Sequence, residues 1–600
     1  MIHDIPCRKL RVNHEKARPT RLFYFDVETD FEPIANMERH RLKIAWGCYV
    51  RRRTDIKAHT ETWKFFTSGR ELWKWVDRLR KVKSPLLVMA HNIFFDLQSS
   101  GFFHYMPRLG WKFEFYHENS AAYILVIHKE NCLIKCVDTG NFFSGSVEKL
   151  GTMLGLPKLF IDFKTATLKE LSKYCRRDVE IIKLAMEKWL DFLDDHDLGK
   201  FSLTKASQSM HAFRHRFMSK PIYLHDYKPA QDLEKSSYIG GRVEAFQLGS
   251  LSGGPFLTLD INSMYPYVMK HYPVPTKLVN FDLNPSLSKV EEWAGRFGMI
   301  AECDLEVPLP IFPVRLDKTL LYPIGRITAF LCTGGLRLAL EEGWVKKVHS
   351  AALYEIDIVF NSFVDYLFSL RDRYKKEGNA IYEKMLKIIL NSLYGKFAQY
   401  IRLSEVTDEP GGRDVYRVEN YYADGSPPTI EFKMFGKKVV ETERVIGRNS
   451  FLAVSSHITE YARLLLWKII EPLYPNDVLY VDTDGFKIRE SSLPKVRHKI
   501  DENELGALKI DKKCERLEIW GCKAYREDGD RTIKGIPKSA MEIAPNTFEF
   551  TSFLKPKTHQ RMEVSEYYVT RKVIRRLVKE YDKGKVMSDG RVNPFFLEMW

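Results

Sequence analysis

Two aspartates in the segment Val478–Ile488 stand where they can do chemistry. Four strand-favouring residues, Val478 to Val481, lead into Asp482 and Asp484, and Gly485 and a second apolar run follow. This order predicts a tight hairpin with the acids at its tip. Because side chains alternate faces along a strand, both carboxylates are expected on one side. Like charges repel, so the pattern favours a divalent-cation site completed by a third acid, although a solvated turn has the same residues.

A third acid, nearer the N-terminus, also directly follows an apolar run. Asp260 directly follows the apolar run Phe256 to Leu259, which predicts a strand. A helix is predicted from about Ala380 to Gln399, and one of its faces presents a cation, an amide and an aromatic ring in a row: Lys387, Asn391 and Tyr394. Such a face suits the phosphates and base of a nucleotide.

A second group of acids lies in the first third of the chain. Asp26 and Glu28 end the apolar run that starts at Leu22, and Asp96 follows the apolar run SPLLVMA. A helical repeat then places Tyr174 and Asp178 four residues apart on one face. Four carboxylates with a tyrosine are what a two-metal phosphodiesterase needs.

Composition limits the classes of protein that remain. A chain of 600 residues is expected to form two to four domains, and its net charge of +15 favours a polyanionic partner such as nucleic acid. The nine cysteines form no CxxC pair, so zinc ribbons and disulfide frameworks are not expected. Without a signal-like or membrane-length apolar run, the sequence predicts a soluble protein of the host-cell cytoplasm with no membrane partner.

The first group of acids resembles the three exonuclease motifs of family B DNA polymerases. The matching patterns are DxE, NxxFD and YxxxD, in that order. The resemblance implies an RNase H-like domain in which Asp26, Glu28, Asp96 and Asp178 hold metal ions and Tyr174 orients the attacking water. It also implies roles for four further residues, with the first three near a single-stranded 3′ end: His91, Asn92, Phe95 and Lys158.

The later motifs resemble those of the polymerase domain in the same family. DINSMYP is similar to DxxSLYP with Met264 in place of leucine, and KxxxNSLYGKF and DTDG are similar to the next two motifs, with Gly485 where serine is usual. The resemblance makes Asp260 and Asp484 metal ligands, helped by the Ile261 carbonyl, with Asp482 as a supporting acid. It implies nucleotide contacts by five residues: Tyr265, as the ring that excludes a 2′-hydroxyl, with Lys375, Lys387, Asn391 and Tyr394.

Two shorter motifs extend the likeness to DNA-binding segments. YxGG, with Tyr238, Gly240 and Gly241, resembles the linker that passes single-stranded DNA between the two active sites. KxY, with Lys523 and Tyr525, resembles the motif that grips the primer strand. The basic segment 571–585 is expected to be a thumb helix on duplex phosphates or a solvated basic face.

Two long segments between the motifs suggest a branch of the family. They lie between Asp260 and Lys387 and from Ile401 to Ser450, where the protein-primed polymerases have insertions that contact the terminal protein and displace a strand. The predicted fold is α/β and α+β multidomain, with an exonuclease domain followed by a right-hand polymerase. Its divisions are 1–200 exonuclease, 201–260 linker and start of palm, 261–370 palm with the first insertion, 371–400 fingers, 401–450 second insertion, 451–540 palm and 541–600 thumb.

The resemblance therefore implies a proofreading, protein-primed DNA polymerase that copies a linear viral or plasmid genome. It implies Mg²⁺, with Mn²⁺ as a substitute, dNTP substrates, a DNA template and primer, a terminal protein as partner and a monomeric state. A primer-independent enzyme of the same superfamily and a nucleic-acid-binding protein with decayed sites remain as alternatives. A reverse transcriptase also uses paired acids, but the NSLYGKF motif and the attached exonuclease motifs do not fit one.

Overall fold

A computed structural model describes residues 5–600 except 35–36, 54–58, 120–121, 410–414, 424–425, 563–567 and 578–579. Within these residues the fold is α/β and α+β multidomain, as the sequence predicted. No helix of the described part of the chain is both long enough and apolar enough to cross a bilayer.

The N-terminal sheet is built around the strand Arg21–Ile34, whose first five residues are buried. Leu86–Ala90 runs parallel to this strand, and Cys132–Asp138 runs parallel to Leu86–Ala90. Antiparallel strands complete the sheet: Ala122–Lys129 and Lys112–Asn119 on one side, and Met37–Arg52, Tyr568–Arg576, Thr547–Phe553 and Met541–Ala544 on the other, with His59–Phe66 also paired to Met37–Arg52. Five helices accompany it: Gly69–Arg78, Ile93–Ser99, Phe102–Arg108, Val147–Met153 and Leu168–Asp195.

The central sheet has five antiparallel strands and contains the predicted hairpin. Its order is Val243–Ala245, Val478–Asp482, Gly485–Arg489, Phe256–Ile261 and Leu508–Cys514. The helices of this region are Lys205–Ala212, Lys228–Ser237, Met264–His271, Asn361–Lys376, Ala380–Phe397 and Leu452–Ile470. The last of these is buried along nearly its whole length. A smaller sheet lies beside the central one and consists of Gly249–Ser250, Leu517–Gly521, Ala524–Glu527 and Asp530–Ile533.

The segment predicted as the first insertion forms a sheet of its own. Its order is Val274–Leu283, Val345–Asp357, Gly298–Val307, Ile324–Cys332 and Phe596–Glu598, so a strand from the end of the chain completes it. The helices Leu287–Ala294 and Thr333–Glu341 and the hairpin of Val314–Leu316 and Thr319–Leu321 complete this unit.

The segment predicted as the second insertion forms a four-stranded antiparallel sheet that packs on the N-terminal domain. Its order is Tyr400–Asp408, Lys437–Ile446, Thr429–Met434 and Tyr416–Asn420. The ring of Phe435 lies 5.8 Å from Phe102 and 6.0 Å from Phe103. This insertion is therefore fixed to the N-terminal domain by buried aromatic contacts.

The basic segment near the C-terminus differs from its predicted helix. Tyr568–Arg576 is a strand, paired with Thr547–Phe553 on one side and with Met37–Arg52 on the other. The prediction gave weight to the positive charges, whereas the β-branched residues Val573 and Ile574 favour an extended chain and a sheet edge was available to pair with it. Further short elements include two strand pairs and a helix: Cys7–Lys9 with Tyr223–His225, Lys585–Val586 with Val592–Asn593, and Pro556–Met562.

Candidate active sites

Asp260 and Asp482 lie in the central sheet on either side of one glycine. Both residues are direct cross-strand partners of Gly485, which belongs to the strand between theirs. Residues at one register position share a face of the sheet, so the two carboxylates flank this glycine on the same side. A Cβ atom at position 485 would lie 3.1 Å from the Leu259 carbonyl oxygen and 3.6 Å from Asp260 Oδ1.

Asp484 joins them through the geometry of the turn. Thr483 has a φ of 66°, in the left-handed region, and the Asp484 amide donates to the Asp482 carbonyl oxygen at 2.9 Å. The Asp484 carbonyl oxygen accepts from the Ile261 amide at 2.8 Å. The turn is thus tied to the strand that carries Asp260, and the three acids line one cleft with Lys523 and Tyr525.

The YxGG segment supports this turn from the other side. The Thr483 amide donates to the Arg242 carbonyl oxygen at 2.7 Å, and a Cβ atom on Gly241 would lie 2.7 Å from Thr483 Cγ2. Gly241 is therefore needed for close approach, as the sequence predicted for this motif, whereas no atom lies within 4 Å of a Cβ built on Gly240. Tyr238 is half-buried, and burial raises the pKa of its hydroxyl.

The charges of the central acids are balanced unevenly. Lys509 Nζ lies 3.1 Å from Asp260 Oδ2, and Lys523 Nζ lies 3.1 Å from Asp482 Oδ1. Asp484 forms no ion pair with a described residue. Burial, with a smaller contribution from Asp260 and then Asp482, raises the pKa of Asp484 to about 6. An acid with a raised pKa beside two others is a donor set that suits a divalent cation.

The predicted nucleotide contacts surround these acids. Lys387 and Asn391 are exposed on the helix Ala380–Phe397, and the charge of Lys387 favours the ionised forms of Asp260 and Asp484. The rings of Tyr265 and Tyr394 stack with centroids 4.5 Å apart and planes 13° apart. Lys375 is exposed and hydrogen-bonds Asn503 Oδ1 at 3.3 Å.

Two basic residues of this region have contacts that motif spacing did not predict. Arg463 donates to the carbonyl oxygens of Ile239 and Gly240, in the latter case at 3.0 Å, so it holds the YxGG segment in place. Arg371 donates to Ser263 Oγ at 3.2 Å, three residues from Asp260. Both contacts join segments that are more than 100 residues apart.

The second group of acids converges at the edge of the N-terminal sheet where its parallel strands end. Asp26 and Glu28 lie on the strand Arg21–Ile34, while Asp96 and Asp178 come from two helices. Asp96 Oδ2 and Asp178 Oδ1 are buried, and no described group hydrogen-bonds to either. Buried carboxylate oxygens without donors are costly, so the donor set fits bound cations.

Burial and, after it, mutual repulsion raise the pKa values of acids in this second site. Burial, followed by the charge of Asp178, raises the pKa of Glu28 to about 8 and that of Asp26 well above its ordinary value. Burial also raises the pKa of Asp96 and Asp178. Acids in this state take up a cation readily once they lose their protons.

Lys158 and Tyr174 lie over this second site. Lys158 Nζ is hydrogen-bonded to Asp178 Oδ2 and lies 4.6 Å from the centre of the Tyr174 ring. Burial lowers the pKa of Lys158, but the hydrogen bond and charge of Asp178 outweigh it, so that the pKa is raised overall. The lysine is thus a fixed positive charge at the carboxylate edge rather than a free surface side chain.

The residues predicted near a 3′ end lie along the same edge. His91 Nε2 donates to the Gly145 carbonyl oxygen at 2.9 Å, and Asn92 has a φ of 62° and an exposed side chain. Phe95 is half-buried, and its ring lies 5.4 Å from that of His40.

Two further residues of this site were missed by the sequence analysis. Asp138 accepts hydrogen bonds from the amides of Asn92 at 3.2 Å and Ile93 at 2.9 Å, so it anchors the start of the helix that carries Asp96. Cys175 Sγ donates to the Asp26 carbonyl oxygen at 3.3 Å. Neither belongs to the motif pattern, although Asp138 ends a strand in the same way as the acids that were predicted.

A cleft of about 720 Å³ lies between the N-terminal sheet and the base of the second insertion. No aspartate or glutamate of the described chain lines it. Lys396 Nζ donates to Ser207 Oγ at 3.0 Å within it, and burial lowers the pKa of Lys396 to about 8. The lining includes six basic residues: Arg18, Lys135, Lys200, Arg214, Lys396 and Arg448.

Comparison with known proteins agrees with this architecture. A family model described as DNA polymerase type B, organellar and viral, matches residues 161–408. A probable DNA polymerase of Neurospora intermedia is 23% identical over 377 residues, which cover 60% of this chain and 37% of that protein. The DNA-directed DNA polymerase of Enterobacteria phage PRD1 is 26% identical over 340 residues, which cover 54% of this chain and 56% of that protein. The chain thus spans well under two thirds of each of these relatives.

A solved structure extends the likeness to nearly the whole chain. Phi29 DNA polymerase complexed with primer-template DNA and incoming nucleotide substrates superposes with a TM-score of 0.66 at 16% identity, covering 94% of this chain and 100% of that one. The resemblance predicted from the motifs is confirmed: the chain is similar to the type B DNA polymerases of the organellar and viral kind, and it has a fold like that of the phi29 enzyme.

Proposed function

We propose that the chain is a template-directed DNA polymerase that also removes nucleotides from 3′ ends, and that it is protein-primed and strand-displacing. The observation that carries the proposal is the arrangement of Asp260, Asp482 and Asp484 around Gly485, within range of the charge of Lys387. Phosphoryl transfer depends mainly on positioning and charge neutralisation, and this arrangement supplies both.

In synthesis, Asp260, Asp484 and the Ile261 carbonyl would hold Mg²⁺, or Mn²⁺ in its place. Such ions would supply positive charge that offsets the negative charge of the reacting phosphates. Lys375 and Lys387 offset the remaining charge of the dNTP triphosphate. The Tyr265 ring is held flat against Tyr394, and in this proposal it would lie under the sugar and exclude a 2′-hydroxyl.

In proofreading, Asp26, Glu28, Asp96 and Asp178 would hold the cations that activate water and stabilise the leaving oxygen. Tyr174 orients that water, and Lys158 keeps a positive charge beside Asp178. The unpartnered oxygens of Asp96 and Asp178 support this role, because bound cations would satisfy them.

Strand displacement is supported by the basic cleft and by the second insertion. The six basic residues of the cleft suit the backbone of a single DNA strand, and two of them, Arg18 and Lys200, are paired with Asp194 and Glu15 outside the lining. Because the insertion is fixed to the N-terminal domain through Phe435, it can stay in place while a second strand is excluded. The first insertion would contact the terminal protein, whose hydroxyl takes the place of a primer 3′-hydroxyl.

The test is extension of a labelled primer on a single-stranded DNA circle with Mg²⁺, dNTPs and no other protein. Products many circles long would support both polymerisation and strand displacement. Products that stop at one circle would still support polymerase activity but would contradict strand displacement. Failure to extend the primer would contradict the polymerase activity. Products on an unprimed circle would favour primer-independent synthesis. Extension on an RNA template would indicate a reverse transcriptase.

A further inference from the structure

A row of four residues crosses the central sheet, with one residue from each of four adjacent strands: Asp482, Gly485, Asp260 and Lys509. Each residue of the row is the direct cross-strand partner of the next. Side chains at one register position share a face of the sheet, so Lys509 lies on the same face as the two acids. The sheet therefore places a lysine beside Asp260, on the side opposite Gly485.

Lys509 has two acids within reach, and only one of them belongs to the central site. Its Nζ lies 3.1 Å from Asp260 Oδ2 and 3.2 Å from Asp511 Oδ1. The side chain of Asp260 is 27% exposed, whereas that of Asp511 is 59% exposed. The ammonium thus stands between a cleft acid, Asp260, and a surface acid, Asp511.

The surface acid lies at a β-bulge of its strand. Leu259 pairs with Ile510 and Thr258 pairs with Lys512, so Asp511 between them has no cross-strand partner on that strand. A bulge re-aims the side chain of its extra residue. Here the carboxylate contacts a side chain two residues earlier on the same strand. The surface acid is therefore positioned by the backbone of the sheet rather than by a loop.

A divalent cation on Asp260 would stand beside the ammonium of Lys509, and charges of like sign repel. The lysine side chain is a flexible stem with three equivalent donors, so it can turn from one carboxylate to another and still make a hydrogen bond. Asp511 offers that second carboxylate in a more solvated place. Movement to the surface acid therefore reduces the repulsion without leaving the ammonium unpaired.

We propose that Lys509 is a displaceable counter-ion of the central site: its ammonium neutralises Asp260 in the cation-free protein and moves to Asp511 when a divalent cation binds. This inference rests on the proposed polymerase activity and assigns a positioning residue to its site. The lysine holds Asp260 in place before the cation arrives. Because it competes for the same carboxylate, it also lowers the affinity of the nucleotide-free protein for cations.

The test measures the binding of Mn²⁺ to the full chain from the electron paramagnetic resonance signal of the free ion. Every protein in the test carries Asp26→Ala and Asp96→Ala, which remove two of the four acids of the N-terminal site. The protein with these two changes alone is the parent protein of the test. Binding that is lost when Asp484→Asn is added to it belongs to the central site.

Lys509→Met is expected to bind Mn²⁺ about tenfold more tightly than the parent protein, because methionine keeps the stem of the side chain without its charge. Asp511→Asn is expected to bind it about threefold more weakly, because the ammonium then keeps only Asp260 of its two acids. The two changes combined should bind like Lys509→Met alone, since Asp511 acts through the lysine. A folding defect would weaken binding in both single variants, so tighter binding by Lys509→Met excludes it.

The ion pair of Lys513 and Glu490 provides the matched controls. Lys513 belongs to the same strand as Lys509, its Nζ lies 2.8 Å from Glu490 Oε2, and both side chains are exposed. Neither residue lines the cleft of the central acids. Lys513→Met and Glu490→Gln remove the same charges at a greater distance, and each is expected to stay within about twofold of the parent protein because solvent and salt screen exposed charges.

A Lys509→Met protein that binds Mn²⁺ no more tightly than the parent protein would overturn the inference. So would an effect of Asp511→Asn that has the same size with and without Lys509→Met, because the surface acid would then act by its own charge. Mn²⁺ binding that does not change with Asp484→Asn would contradict the central metal site and, with it, the counter-ion. Primer extension by the parent protein in Mg²⁺ distinguishes the failures, since an active polymerase whose affinity is unchanged by Lys509→Met refutes the counter-ion alone.

Discussion

Asp260 and Asp482 pair with the same residue, Gly485, from opposite sides. With neighbouring strands about 4.8 Å apart, the two backbones stand about 10 Å apart with only a glycine between them. The space above that glycine is closed at one end by the turn that carries Asp484. Lys509 and Lys523 balance the two outer acids, which leaves Asp484 as the carboxylate whose charge is least compensated.

Asp484→Asn is therefore expected to abolish nucleotide incorporation and to spare hydrolysis of a single-stranded 3′ end. Asp26→Ala is expected to do the reverse, because its carboxylate lies in the N-terminal sheet and not in the central one. Primer extension and release of mononucleotides from a labelled strand measure the two activities, and each variant serves as the other's folding control. Loss of both activities in either well-folded variant would contradict separate sites.

Cation binding at the N-terminal site is expected to release protons. Burial, with the charge of Asp178, raises the pKa of Glu28 to about 8, so most molecules carry this proton at pH 7. A ligand carboxylate must be ionised, so the affinity for Mg²⁺ should rise with pH from about 6 to about 8, by up to tenfold per unit. Titration calorimetry at pH 7 in two buffers of different ionisation enthalpy counts the protons released.

Glu28→Gln is the control for this count, because glutamine keeps the shape of the side chain but has no proton to lose. The variant should release about one proton fewer per site than the parent protein. An identical proton count in the two proteins would show that Glu28 is already ionised at pH 7 and would contradict the prediction.

The sequence was most informative where chemistry and secondary structure share one short segment. The hairpin Val478–Ile488 and the helix that carries Tyr174 and Asp178 were predicted because spacing alone sets which side chains point together. The tertiary partners of the predicted acids were not predicted, since Lys509 pairs with Asp260 and Cys175 donates to Asp26 across 249 and 149 residues of chain. Tertiary contacts of this kind leave no local pattern.

The same reasoning explains the error at Tyr568–Arg576. Its charged residues are compatible with the exposed side of either a helix or a strand. The segment is a strand because it pairs with the free edge of Met37–Arg52. That edge is formed more than 500 residues earlier in the chain. The contact between the rings of Phe95 and Phe553 was missed for the same reason, because the two residues are neighbours only through this pairing.

Tyr265→Val is expected to weaken the discrimination against ribonucleotides by about a hundredfold. The ring is rigid in the parent protein because it stacks on Tyr394 at 4.5 Å, and valine is too short to exclude a 2′-hydroxyl as we propose for this ring. The ratio of kcat/KM for dCTP and CTP measures the effect and does not depend on the active fraction. Tyr267→Val, two residues along the same helix, should leave that ratio unchanged; equal ratios in the Tyr265 variant and the parent protein would contradict the steric role.

Glu527 is expected to hold the strand Ala524–Glu527 to the central sheet. It accepts from Lys512 Nζ at 2.8 Å and from Lys487 Nζ, and that Lys487 ammonium lies 4.4 Å from the centre of the Tyr525 ring. Glu527→Ala would leave Lys487, whose side chain is 5% exposed, without its carboxylate. Loss of one partner of a buried ion pair costs about 3 kcal/mol, so amides of Ala524–Glu527 should exchange with deuterium about a hundred times faster.

Greater mobility of Tyr525 should also change the ratio of nucleotide removal to nucleotide incorporation. If this strand grips the primer, Glu527→Ala is expected to raise the ratio of nucleotides removed to nucleotides incorporated on a paired primer. Asp530→Ala is the control, because Asp530 pairs with Lys538 at 2.7 Å on the surface, where an ion pair adds little stability. Faster exchange without any change in this ratio would mean that Glu527 stabilises the strand but that the strand does not set the grip on the primer.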